Sequence, residues 1–123
     1  MHFLVADSDD TFAMPLSQRL RRLGSVSLVR SGNGARAALL SGFPPVTAAL
    51  CAVDLPGIDG YRLLQEMRSL RADVARRLLF YTANPKTFAA RAVAHLHVRP
   101  LLPKPFSLAQ VETLLEEIKA DAL

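Results

Sequence analysis

A-A-L-C-A-V-D-L-P-G-I-D-G, residues 48–60, is the stretch that decides how this chain folds. Six apolar residues, Ala48 to Val53, run without a polar break, stop at Asp54 and pass into a loop carrying Pro56, Gly57, Asp59 and Gly60. A strand with one wet face alternates apolar and polar residues. An unbroken apolar run between turn residues is instead a strand covered on both faces, as in a parallel sheet sandwiched by helices. Beyond the loop, Leu63, Leu64, Met67 and Leu70 recur at helical spacing, which predicts a helix with all four facing inward.

The same alternation extends upstream. Phe3 to Ala6 forms a first apolar run, followed by Phe12, Leu16, Leu20 and Leu23 on one helical stripe. Pro15 lacks an amide hydrogen, which predicts a late start or an irregular first turn for that helix. Gly24 closes it, Val26 to Val29 reads as a second strand, and Gly32-Asn33-Gly34 reads as a turn before a helix from Ala35 to Leu40. Pro44 and Pro45 then break the chain ahead of the third run.

Downstream, Leu78 to Tyr81 is a fourth strand. Asn84-Pro85 reads as the cap and first position of a helix bearing Phe88, Ala92 and Leu96. A short fifth strand lies around Leu101 and Leu102. Ser107 with Gln110 three residues on is a capping box, and Leu108, Val111, Leu114, Leu115 and Ile118 give the last helix its buried stripe. Five strands alternating with five helices predict an α/β fold: one three-layer, doubly wound domain over residues 1–123 with a five-stranded parallel sheet.

Size and composition agree. A chain of 123 residues buries a self-sufficient core, and half of these residues are hydrophobic. No apolar run approaches the roughly 20 residues of a membrane span. The start, M-H-F-L-V-A-D, has no basic leader, and Cys51 is the only cysteine; a cytoplasmic setting and no internal disulfide are expected. Cys51 reads as a small buried hydrophobe. The net charge of +4 comes from dispersed residues, 12 of the 15 cations being arginine, which reads as solvated helix faces and not as a nucleic-acid platform.

In a doubly wound sheet, function gathers beyond the carboxyl ends of the strands. The residues there are Asp7 and Ser8, then Ala52 to Asp54, Thr82 and Lys104. With F-L-V-A-D at Phe3 to Asp7, P-G-I-D-G at Pro56 to Gly60, T-A at Thr82 and Ala83, and K-P-F at Lys104 to Phe106, the chain resembles the receiver (CheY-like) domains of two-component signalling along nearly its whole length. The resemblance implies the flavodoxin-like strand order 2-1-3-4-5 and a cis Lys104-Pro105 peptide. It also implies a site where an acidic pair and an acceptor aspartate hold magnesium while threonine and lysine bind phosphoryl oxygens. Carboxylates repel a phosphoryl donor of like charge, so a hard cation and a lysine must offset that repulsion.

Against that pattern the chain departs three times. Counting back from Pro56 puts Ala52 at the acceptor position, with Asp54 two residues further on. Ser8 stands where the second member of the acidic pair is expected beside Asp7. Leu101 stands where the resemblance implies an aromatic switch residue. Asp7 alone offers too few anionic oxygens, so magnesium binding is expected to be weak or absent and no other cofactor is implied. Asp9 and Asp10 read as caps of the first helix, and Lys104 as the ion-pair partner of Asp7 or Asp54.

These departures predict a pseudo-receiver: a binding module and not an enzyme, acting without phosphorylation through a protein partner or an attached output domain. The resemblance places the interaction face, which also serves a possible homodimer, on the fourth helix, fifth strand and fifth helix: Phe88, Arg91, His95, Leu101, Val111 and Glu112. Two alternatives stand beside it. Asp54 could serve as a displaced acceptor, although in-line transfer depends on positioning that a two-residue shift would spoil. Nucleic acid could bind the arginines, which dispersal makes a poor fit for this domain. His95 and His97, two apart on different helix faces, read as surface histidines without a metal.

Overall fold

The structure, a computed structural model, describes residues 1–121. Its elements are β1 (His2–Ala6), α1 (Asp10–Leu20), β2 (Ser25–Val29), α2 (Gly32–Ser41), β3 (Ala48–Ala52), α3 (Gly60–Leu70), α4 (Ala72–Ala75), β4 (Leu78–Thr82), α5 (Phe88–Leu96), β5 (Leu102–Pro103) and α6 (Leu108–Asp121). The apolar run that opened the reading is β3, and every residue of it is buried. Wholly parallel pairing gives the order β2-β1-β3-β4-β5. With right-handed crossovers, the leftward step from β1 to β2 puts α1 on one face, and the rightward steps put α2, α3 and α5 on the other. Helices therefore cover both faces of β1, β3 and β4, and these strands carry the core.

Register fixes which residues meet at the carboxyl edge. Ala6 pairs with Cys51, so Asp7 stands level with Ala52, and Ala52 in turn pairs with Tyr81. Lateral neighbours in a parallel sheet share a face. One row across three strands thus reads Asp7, Ala52, Tyr81.

Several local expectations need correction. Among the described residues there are six helices, not five: after α3 the chain adds the single turn α4, where Val74 and Ala75 are buried. Pro15 does not delay α1, which starts at Asp10 because Asp9 caps it through the Thr11 amide; burial of Ala13, Leu16 and Leu20 holds the helix around the proline. Gly32-Asn33-Gly34 is no turn but the first part of α2, with Ser31 accepting from the Gly34 amide as its cap. Gly32 permits this because a side chain there would strike the Ile58 carbonyl oxygen, 1.7 Å from where its Cβ would sit. The cap of α5 is Thr87 rather than Asn84; Asn84 instead closes a turn by accepting from the Lys86 amide.

Two burial expectations also fail. Leu70, at the end of α3, is 55% exposed, because the chain leaves the sheet there to form α4. His97 is not a free surface residue. It is half-buried, its Nε2 donates to the Leu78 carbonyl oxygen at 2.6 Å, and its ring stands edge-on to Phe80. Burial first, then the charges of Arg99 and Arg68, hold its pKa below the ordinary histidine value.

Candidate functional site

At the carboxyl edge, Asp7 is 2% exposed and every part of its carboxylate is engaged. Oδ1 accepts from the Asp9 amide at 2.9 Å. Oδ2 accepts from the Tyr81 hydroxyl at 2.9 Å and pairs with Lys104 Nζ at 3.1 Å. Tyr81 lies on β4 and Asp7 follows β1, with β3 between them, so their bond spans β3 at the level of Ala52. Adjacent strands are about 4.8 Å apart, so β4 and β1 are about 10 Å apart, a gap that an extended tyrosine closes only if the residue beneath it is small. Ala52 is that residue.

Lys104 is fixed from several sides. Its backbone amide donates to the Thr82 carbonyl, and the peptide to Pro105 is cis. Nζ also approaches Asp9 at 3.5 Å and sits 4.5 Å from the centroid of Phe12 and 5.4 Å from that of Tyr81. Phe12, Tyr81 and Phe106 contact one another pairwise at 5.1 to 5.4 Å, so an aromatic cluster closes around the lysine. A cation against such ring faces is attracted as well as paired.

Titration agrees with this geometry. Burial, and behind it the negative charge of Asp7, keep the Tyr81 phenol far above its ordinary range, so it remains a donor at any physiological pH. The bond from the Thr11 hydroxyl, followed by the Lys104 charge, lowers the Asp9 carboxyl. Cys51, wholly buried, has its thiol pushed up to about 12 by burial and by Asp7, which leaves it unreactive.

The remaining residues expected at the site are spread around this bridge. Thr82 is buried, and its hydroxyl is used in the turn that follows, accepting from the Asn84 amide at 3.0 Å and reaching the Asn84 carbonyl oxygen at 3.2 Å. Ser8 and Asp54 are exposed, and Asp54 enters no salt bridge among the described residues. Lys104 therefore pairs with Asp7 and Asp9, not with Asp54. Magnesium demands an octahedron of oxygens. Here both oxygens of the one buried carboxylate already have partners and its neighbour is the Ala52 methyl, so the donor set does not fit the ion. Among the described residues, no group of three or more His, Cys, Asp or Glu side chains is placed to hold a metal.

The response regulator receiver domain family matches residues 3–116 of the chain. The chain belongs to this family. Over 115 residues it is 23% identical to a Rhizobium etli protein described as a probable chemotaxis protein CheY, covering 94% of this chain and 89% of that one. The signal receiver domain of an HD domain-containing protein from Pseudomonas fluorescens superposes with a TM-score of 0.83 at 21% identity, over 98% of this chain and 90% of that one. A response regulator structure from Chloroflexus aurantiacus gives a TM-score of 0.78 at 30% identity, over 94% of this chain and 97% of that one.

Within this receiver the expected interaction face is only partly a surface. Phe88 is 73% exposed, and Arg91, His95 and Glu112 are exposed, while Leu101 is half-buried. Val111 must be struck from that face: it is 0% exposed, because the inward stripe of α6 needs it against the sheet. Phe88 leans toward α3, its ring edge-on to Tyr61 at 6.0 Å. Sequence reasoning missed Tyr81 altogether. Its signal was there, as a phenol hydroxyl ending the apolar L-L-F run of β4, at the level of an alanine that stands where the resemblance implies an aspartate.

Proposed function

We propose that this receiver domain is a pseudo-receiver that signals by binding, without phosphorylation and without magnesium. The single observation that supports this reading most is the bond from Tyr81 to Asp7 across Ala52. An acceptor carboxylate at that level would need the space the tyrosine occupies, and the metal would have to compete for the Asp7 Oδ2 that Tyr81 and Lys104 share. Lys104 and Thr82, which the family uses for phosphoryl oxygens, are committed here to an ion pair and a loop turn. The domain is therefore not an enzyme toward phosphoryl donors, and its carboxyl edge is a brace.

The binding partner is a protein or an attached output domain in the cytoplasm, and the exposed residues Phe88, Arg91, His95 and Glu112 on α5 and α6 form the docking face, which also suits a second copy. Among the described residues no helix is long and apolar enough to cross a membrane. The test is intact mass and amide NMR with acetyl phosphate, or beryllofluoride, plus magnesium. Unchanged mass and an unshifted spectrum are expected. A phosphoryl mass increase that disappears in Asp54→Asn would overturn the proposal and make Asp54 the acceptor.

A further inference from the structure

A trough runs between α3 and α5 and continues past α4 to the segment after Leu96. Its upper part, about 420 Å³, is lined by Tyr61, Gln65, Arg68, Ser69 and Leu96. Its lower part, about 520 Å³, shares Arg68 and Leu96 with the upper and has Ala72, Ala75 and Val98 as further apolar lining. Arg76 and Asp121 stand at its rim.

The charge along this trough is one-sided. Among the described residues, four arginines, Arg30, Arg36, Arg71 and Arg99, have a carboxylate partner, and two of the arginines without one, Arg68 and Arg76, line this trough. Asp121, the one acid of the lining, is taken by Arg99. His97 beside it is half-buried and bound to the Leu78 carbonyl. Val98 is 70% exposed here, and Phe88 stands over Tyr61 at the upper end. An apolar floor flanked by two unpaired guanidinium groups is the complement of an apolar stripe flanked by carboxylates.

We infer that this trough receives an acidic amphipathic helix of a partner protein, laid between α3 and α5 as the third member of a small bundle. The groove between two packed helices admits a third of about 10 Å diameter by ordinary ridge-into-groove packing. Nucleic acid fits worse. Two free arginines would neutralise only about two phosphates, too few for useful affinity, and the apolar floor would meet nothing. This surface goes beyond the α5 and α6 face and deepens the binding-module reading on which it rests.

The experiment uses the whole chain and a synthetic peptide of about 15 residues, long enough to hold a helix once docked, with leucines at i, i+3, i+4 and i+7 and glutamates on both flanks. Amide shifts are expected to saturate and to map to residues 61–76 and 96–98. The double variant Arg68→Glu with Arg76→Glu, whose two sites are exposed, is expected to lower affinity about tenfold while keeping a dispersed spectrum. Ala72→Gln, which fills the floor but keeps the charge, is expected to weaken binding as well. No saturable shift, equal shifts from a scrambled peptide of the same composition, or shifts centred on α6 would overturn the inference. So would a single-stranded oligonucleotide that binds the trough more tightly than the peptide. An affinity that changes with acetyl phosphate and magnesium would instead sink the phosphorylation-independent reading and leave the trough standing.

Discussion

Replacing Ala52 with aspartate restores the residue that a phosphoryl-accepting receiver is expected to carry, and this structure predicts that the change destabilises the domain without restoring its chemistry. The new carboxylate would lie level with Asp7 on the adjacent strand, about 5 Å away, where two like charges repel by about 3 kcal/mol at an effective dielectric near 20. Remaining neutral at pH 7 would cost about 4 kcal/mol, so the group ionises and claims Lys104 instead. Lys104 offsets part of the repulsion but must share its charge, and the Tyr81 hydroxyl must leave, forfeiting about 2 kcal/mol of charge-assisted hydrogen bond. The net loss is about 2–3 kcal/mol, or about 10 °C in Tm for a domain of this size.

Thermal and urea unfolding of Ala52→Asp, Tyr81→Val and the double variant would measure this. The double variant should be markedly more stable than the two single losses predict, because valine vacates the space the carboxylate needs. Repulsion raises carboxyl pKa values in the folded variant, so its deficit should shrink as pH falls from 7 toward 4.5. The double variant should also respond to beryllofluoride and magnesium better than Ala52→Asp alone. A single Ala52→Asp variant with wild-type Tm and a full beryllofluoride response would refute the reasoning, since Tyr81 would then be no obstacle.

Three further outcomes follow from individual contacts. Tyr81→Phe keeps the ring among Phe12 and Phe106 but leaves Asp7 without one donor, and should cost about 2 kcal/mol in urea unfolding. His97 has a folded pKa below its unfolded value, so its neutral form favours folding; stability should fall as pH drops from about 6.5 through the folded pKa, and His97→Gln should flatten that part of the Tm profile against pH. Ser17 Oγ is buried without a hydrogen-bond partner among the described residues, so Ser17→Ala, which also favours the interior of α1, should raise the unfolding free energy in urea by about 1 kcal/mol.

The sheet was legible because β1, β3 and β4 are buried on both faces, and burial of that kind leaves unbroken apolar runs whose signal is independent of detail. The helix starts were less legible. Gly32 and Asn84-Pro85 carry strong local turn preferences, and what overrode them was tertiary: the α2 terminus packs against the Ile58 carbonyl, and Thr87 offers a better-placed cap than Asn84. At the site, Ala52, Ser8 and Leu101 were readable as departures because position along the chain identifies them. Tyr81 was not, because its role depends on which strand lies between β4 and Asp7, and that is set by sheet order and not by spacing. Val111 was assigned to a surface by its family position, although its place on the apolar stripe of α6 already put it inside.

On the proposed reading, the relation between Ala52 and Tyr81 bears on what an alanine at the expected acceptor position does. An alanine at this position in an otherwise active site would leave Asp7 and Lys104 around a gap, ready to be refilled by a single substitution. Here the gap is spanned. Tyr81 satisfies Asp7, its ring helps hold Lys104 beside Phe12, and Asp9 adds a second carboxylate to the lysine. Each of these groups is now occupied by another, so reverting any one member leaves the rest opposed to it. The carboxyl edge of the sheet has become a closed polar knot that stiffens the ends of β1, β3 and β4. On the proposed pseudo-receiver reading, a domain tied in this way has one arrangement to offer, and binding falls to its outer helices, where Arg68, Arg76 and Phe88 are exposed.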